Sequence, residues 1–272
     1  MSDPGRVYDV AVVGGGMVGA ATACLLGRAG FSVALIDNSD PPVFDSSSDI
    51  GLRVSAISPG AAAILAEAGA WRLVENHRHC PYRVMRVEDR DESATLEFQA
   101  PEFGLEVLGT IVENDLVQWA LWQSLQVMAG VDFPGPARVS ELEYEEGLPV
   151  VTLENGEAIR ARLLAAADGA ASQLRRLLGI RQRHWEYGQA GIVGVVRSAE
   201  PNRGVAWQRF IEGGPIAFLP LSDGRSSMVW SCPETEAGRR LELDDDAFLA
   251  ELEQAVSGSP GHWPGPLEAI GP

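Results

Sequence analysis

The chain has 272 residues, 46% of them hydrophobic and 22% charged, an ordinary globular composition long enough to bury a sizeable core without staples. Its formal net charge of −17 argues against nucleic acid and against an anionic membrane as electrostatic partners of the whole chain. All 21 basic residues are arginine, so Schiff-base chemistry through a lysine is excluded.

In chain order, residues 7–13 (Val-Tyr-Asp-Val-Ala-Val-Val) predict a buried strand, 14–19 a glycine turn, 20–29 a helix closed by Gly30, and 31–36 a second buried strand ending at Asp37. This is a complete βαβ unit. Its apolar run is too short for a secretory leader, and no stretch in the chain approaches the roughly 18 apolar residues that span a bilayer. A Pro/Ser/Asp-rich surface loop fills 38–49, a short strand is expected near 53–57, and Pro59 opens a helix that stops at Gly69. Residues 82–99 alternate like extended segments, and 114–128 carry Leu116, Trp119, Ala120, Gln123 and Val127 at helical spacing. Residues 139–153 read as a hairpin. Asn155-Gly156 then turns toward residues 158–160 and a strand at 163–167, closed by Asp168-Gly169 and a helix at 172–178.

Beyond Gly179 the texture changes. Strands are expected at 189–197, 205–211, 216–221 and 226–231, the last three joined by Gly/Pro- and Asp/Gly-containing turns, which makes an antiparallel meander. A helix follows Asp244 to about residue 256, and the Pro/Gly-rich tail from Gly258 to Pro272 shows no element. The expected fold class is α/β (mixed α+β). A Rossmann-like dinucleotide domain from 1–75 and 105–183 is interleaved with an antiparallel-sheet domain from 76–104 and 184–272.

The chemistry starts at Gly14-Gly15-Gly16-Met17-Val18-Gly19, a G-x-G-x-x-G between a strand and a helix, with Asp37 following 18 residues after Gly19 at the end of the next strand. Gly14 permits the tight turn, Gly16 lets backbone approach a pyrophosphate, and Gly19 lets the helix pack on the strand. The helix start at Met17 and Val18 faces the phosphates, and Asp37 can accept from ribose hydroxyls. An acidic residue there disfavours a 2′-phosphate, which leaves FAD and NAD open. Cys24, Cys80 and Cys232 have no CxxC spacing, which fits a reducing compartment. The four histidines lack ligands at metal spacing, and no metal site is expected.

Further segments carry a resemblance. Residues 163–175, with Ala167-Asp168-Gly169-Ala170-Ala171-Ser172-Gln173-Leu174-Arg175, are similar to the ADG-x-x-S-x-x-R segment of the aromatic-ring flavoprotein monooxygenases, and 49–58, containing Arg53, resemble their arginine-bearing segment near the flavin. Leu108-Gly109-Thr110-Ile111-Val112-Glu113-Asn114, Gln118-Trp119-Ala120-Leu121-Trp122 and Ala217-Phe218-Leu219-Pro220-Leu221 resemble the ubiquinone-biosynthesis FAD-dependent hydroxylases of the UbiH/UbiF/VisC type, along essentially the whole chain.

The resemblance implies FAD bound at Gly14, Gly16, Met17, Val18, Gly19, Asp37, Arg53, Glu113 and Asp168. It also implies a flavin C4a-hydroperoxide that hydroxylates the ring of a polyprenylated phenol or quinol with O2, and NAD(P)H or a separate reductase as electron donor. Catalytic side chains are not assigned, because the flavin carries the chemistry. Glu113 and Asn114 read equally as a helix start with its cap. Trp207, Phe210, Phe218 and Trp230 read as substrate-pocket wall or as plain core. The segment His79-Cys80-Pro81-Tyr82-Arg83 leans toward the member acting on a methyl-methoxy-benzoquinol.

A cytoplasmic location is expected, with at most peripheral contact at the inner face of the membrane and membership of a ubiquinone-biosynthesis complex as the partner reading. The family's second flavin motif, Gly-Asp-Ala-Ala-His, does not occur in these 272 residues. The expectation is a chain lacking the C-terminal third of a usual member, as a fragment or an incomplete gene reading, that binds FAD weakly and does not turn over alone. The rival readings are a hydroxylase of a soluble phenol and a non-catalytic flavin-binding or assembly subunit.

Overall fold

A computed structural model of the chain describes residues 6–90, 95–257 and 266–271. The fold resolves into two compact units, one from residues 1–46, 60–76 and 114–184, the other from 47–59, 77–113 and 185–272.

The first unit is built on a six-stranded sheet in the order Val131–Asp132, Val33–Ile36, Val7–Val13, Ala158–Ala166, Leu148–Leu153, Val139–Glu145. The first four strands are parallel, and the last two form an antiparallel extension. Val7–Val13 and Val33–Ile36 are apolar runs because both faces of the sheet are covered. On one face lie the helices Met17–Arg28 and Asn114–Gln126, which bury Ala20, Ala23, Cys24, Leu116 and Leu121. On the other lies a cluster of Tyr8, Ala11, Val13, Ile36, Val151, Ile159 and Leu174. Burial raises the Cys24 thiol to about 11, which makes it an inert core residue. The expected hairpin turns at Glu146-Gly147, both at positive φ (52° and 85°), as a two-residue hairpin loop requires.

The second unit holds a seven-stranded sheet in the order Leu267–Gly271, Gln189–Ser198, Ser226–Pro233, Gly214–Pro220, Val205–Ile211, Val84–Glu88, Thr95–Gln99. Every neighbouring pair is antiparallel except Val84–Glu88 with Val205–Ile211, which is parallel. One face is covered by the helix Asp245–Val256, whose Phe248, Leu252 and Val256 pack on Ile192, Trp207, Phe218, Met228 and Trp230. Asp244 caps that helix by accepting from the Ala247 N–H at 2.8 Å. The buried Arg209 donates to the carbonyls of Val256 (3.2 Å) and Ser257 (2.8 Å) at its far end. A second, three-stranded sheet orders Val54–Ile57, Gly109–Glu113 and His79–Tyr82.

Several expectations are corrected. Residues 47–59 and 105–113 were assigned to the dinucleotide unit but group with the second one, because strands 54–57 and 109–113 pair with each other and with 79–82. Of the two readings of Trp207, Phe218 and Trp230 the core one holds, since they lie under the helical layer, while Phe210, on the opposite face of its strand, is 45% exposed. The tail was read as carrying no element, yet Leu267–Gly271 pairs with residues 195–198; the rest of that reading, at 258–265 and 272, lies outside the described residues, as do 91–94 of the expected extended run. The helix Glu234–Leu241 has no counterpart in the sequence pattern because it carries almost no apolar stripe, Ala237 being its one buried residue. It is held by Arg239 and Arg240 on Glu251 (2.7 and 3.2 Å) and by Arg240 stacked 4.2 Å over Trp230.

Candidate functional site

The first unit opens a cavity of about 520 Å³ at the carboxyl ends of its parallel strands, where Val13, Ile36 and Ala167 leave the sheet. This is the crevice that open parallel sheets offer to ligands, and the volume lies within the usual range for a small-molecule site. Its walls include Gly14, Gly16, Asp37, Asn38, Arg138, Asp168, Gln173 and Arg176.

The three motif glycines have three separate physical reasons. Gly14 has φ +106°, and a Cβ there would lie 2.3 Å from the Ala167 carbonyl oxygen. A Cβ on Gly19 would lie 1.8 Å from the Gly14 carbonyl oxygen, so helix and turn touch only because Gly19 has no side chain. A Cβ on Gly16 would meet nothing within 4 Å, because it would project into open space at the cavity. Gly16 is the N-cap of Met17–Arg28 and carries no side-chain cap, which leaves the first N–H groups of that helix, including those of Met17 and Val18, for a ligand. Val18 itself is 74% exposed, so its backbone is what the turn uses.

Asp37 is tied to the turn from below. Its Oδ2 accepts from the Gly15 N–H at 2.5 Å and its Oδ1 from the Ser39 N–H at 2.8 Å. A carboxylate has about four acceptor sites, so capacity remains for a sugar hydroxyl. Ser172 is the N-cap of the short helix Gln173–Leu177, and Asp168 reinforces it: its oxygens accept from the Ser172 hydroxyl (2.6 Å) and from the N–H groups of Gln173 (2.7 Å) and Leu174 (3.0 Å). Burial opposes ionisation of Asp168, but the hydrogen bonds from Ser172, Leu174 and Gln173 outweigh it and hold the carboxyl below its ordinary pKa. An anion at that point favours hydroxyl donors over a phosphate, and Arg138 and Arg176 supply the opposite charge in the same walls.

Arg53 and Glu113 belong to the second unit. Arg53 is exposed and directly precedes the strand Val54–Ile57. Glu113 is 6% exposed, and Arg78 engages both its oxygens, at 2.9 Å through Nε and 3.1 Å through a terminal nitrogen. Its Oε1 also accepts from the Gly51 N–H at 2.8 Å. Arg78 further donates to the carbonyl of Ser48. Glu113 and Arg78 therefore clamp the loop that carries Arg53, a connection that sequence spacing does not reveal. Arg138, Gln173 and Arg176 also line the cavity without a sequence signal for it; a loop arginine carries no motif, and only the sheet order brings residues 138 and 173 to the same cavity as the glycine turn.

Among the described residues no helix is long and apolar enough to cross a membrane. A family model described as FAD binding domain matches residues 7–262. The 3-demethoxyubiquinol 3-hydroxylase of Escherichia coli is 36% identical over 265 residues, covering 97% of this chain and 66% of that protein. The mitochondrial ubiquinone biosynthesis monooxygenase COQ6 of Danio rerio is 36% identical over 277 residues, covering 94% and 56%. The chain thus spans between about half and two thirds of the length of these curated relatives. In fold it is similar to the crystal structure of PqsL from P. aeruginosa, with a TM-score of 0.73 at 22% identity over 98% of this chain and 74% of that one.

Proposed function

The chain belongs to the FAD binding domain family, and on that premise we propose that it is the FAD-binding portion of a monooxygenase that hydroxylates the ring of a polyprenylated ubiquinone precursor. The observation that carries the cofactor reading is the open space at Gly16, beside uncapped helix N–H groups and within one cavity with Asp37. The substrate reading rests on the names of the two curated relatives.

The residues fit the ADP half of FAD. Gly14 makes the turn, Gly16, Met17 and Val18 present backbone to the pyrophosphate, Gly19 lets the helix close on the turn, and Asp37 accepts from the ribose. Asp168, held anionic, accepts from a hydroxyl further along the cofactor. Arg53 is the side chain of the second unit assigned to the flavin. Glu113, which accepts from Arg78 and Gly51, positions the loop that carries Arg53. Reduced FAD, when bound, supplies the oxygen activation that no side chain of the chain provides. NAD(P)H or a reductase delivers the electrons, and the polyprenyl tail brings the protein to the membrane surface or to a ubiquinone-biosynthesis complex.

The test is oxygen and NAD(P)H consumption by the complete FAD-loaded protein with a panel of prenylated quinol precursors and soluble phenols. Ring-hydroxylated product from the prenylated substrates alone is expected. Turnover of soluble phenols alone would replace the substrate reading, and stoichiometric FAD without turnover of either would leave a non-catalytic flavin-binding subunit.

A further inference from the structure

The residues that orient the phosphate-facing peptide lie outside the glycine motif, on the helix Asn114–Gln126. The Gly15 carbonyl accepts from the Trp122 indole N–H at 2.8 Å and from the Gln118 side-chain amide at 3.2 Å. Positions 118 and 122 are one turn apart and point the same way. Trp122 is 3% exposed, its ring is fixed edge-on against Phe133 at 4.9 Å, and a Cβ on Gly15 would lie 2.6 Å from its Cζ2. On the other side, the Gly15 N–H is held by Asp37. Gly15 is thus gripped at both its N–H and its carbonyl.

A trans peptide is planar, with its carbonyl and its N–H pointing in opposite directions. The Gly15–Gly16 peptide is trans, as are all those described. Pinning the Gly15 carbonyl on Trp122 therefore turns the Gly16 N–H the other way. Gly14 and Gly16 line the cavity while Gly15 does not, and no protein acceptor for the Gly16 N–H occurs among the described residues. Glycine turns are free to flip, so without this grip the Gly16 N–H would sample other directions, and a ligand would have to order it on binding.

We infer that Trp122, assisted by Gln118, is a positioning residue that preorganises the Gly16 N–H for the pyrophosphate of the dinucleotide. This rests on the reading that the pyrophosphate binds at the glycine turn. It makes a selective prediction: losing the indole donor weakens ligands that carry the diphosphate and spares those that do not.

The test is calorimetric titration of the wild-type chain, Trp122→Phe and Gln118→Met with FAD, ADP and adenosine, with near-ultraviolet circular dichroism as the folding control. Phe keeps a ring for Phe133 and removes the donor together with part of the indole's volume, which the adenosine arm controls for. One lost neutral hydrogen bond corresponds to about a fivefold change. Trp122→Phe is expected to bind ADP and FAD about fivefold to tenfold more weakly, with adenosine within about twofold of wild type. Gln118→Met should lose about twofold to threefold, again for ADP and FAD alone, and keeps the test alive if the Trp122 variant does not fold. Equal loss for adenosine and ADP, or no loss for either, overturns the inference. Wild-type protein that binds neither ADP nor FAD overturns instead the reading on which it rests.

Discussion

Asp37 and Glu113 are two of the carboxylates that hold backbone N–H groups in this molecule, and they do so for opposite ends. In the first unit Asp37 grips Gly15 beside a space that no protein atom fills. In the second, Glu113 grips Gly51 inside a closed cluster, both of its oxygens taken by Arg78. The first arrangement is made of backbone and short spacings, and it leaves capacity for a ligand. The second spends its capacity on the protein itself. An open site tolerates loss of function without loss of fold, whereas a closed one does not, and each prediction below probes that difference.

The largest effect is expected at Gly19→Ala. In an ordinary helix this change stabilises, by up to about 1 kcal/mol, but here the new Cβ would lie 1.8 Å from the Gly14 carbonyl. A loss of about 3 kcal/mol or more in urea unfolding is expected, with loss of ADP binding. Gly16→Ala supplies the contrast: stability should fall by less than about 1 kcal/mol, while ADP affinity falls about tenfold or more, because the methyl group occupies the ligand's space. Equal destabilisation at the two positions would erase the distinction.

Next, Glu113→Ala strips the half-buried Arg78 of its partner and the Gly51 N–H of its acceptor, and should cost about 2–3 kcal/mol in the same assay, with Glu113→Gln intermediate. A neutral result would make the clamp dispensable.

A smaller effect belongs to Asp168. Its folded pKa lies below its unfolded one, so its contribution is complete above the usual aspartate pKa of about 4 and is lost as pH falls through the lowered value. Unfolding midpoints of the wild type should drop across that acid window. Asp168→Asn should flatten the drop and cost about 1 kcal/mol at neutral pH, a figure reduced for solvent screening. The smallest effect is expected at Val18→Ala, where stability and ADP affinity should stay within about 0.5 kcal/mol, since position 18 contributes its N–H and an exposed side chain.

The first unit was the more legible of the two. Its strand–turn–helix start is local, and the residues from Val7 to Asp37 are read from apolar runs and glycines in one pass. Asp168 was found through a segment resemblance, and the structure adds its capping partners Ser172, Gln173 and Leu174. The Glu234–Leu241 helix and the Leu267–Gly271 strand were not legible, because one is held by ion pairs to a later helix and the other by pairing with a strand about 70 residues earlier. Trp122 lay inside a segment noted only for its resemblance, with nothing to link it to a carbonyl 107 residues away.

By itself the sequence determined the glycine turn, the carboxylate at the end of the next strand and the family, since these depend on glycine stereochemistry and spacings within one βαβ unit. The tertiary structure alone decided which strands joined which unit, that Trp207, Phe218 and Trp230 are core, that Glu113 is spent on Arg78, and that Trp122 holds the turn. Each of these depends on which partner occupies the other side of a contact, and a linear pattern records a residue's character but not its neighbour across the fold.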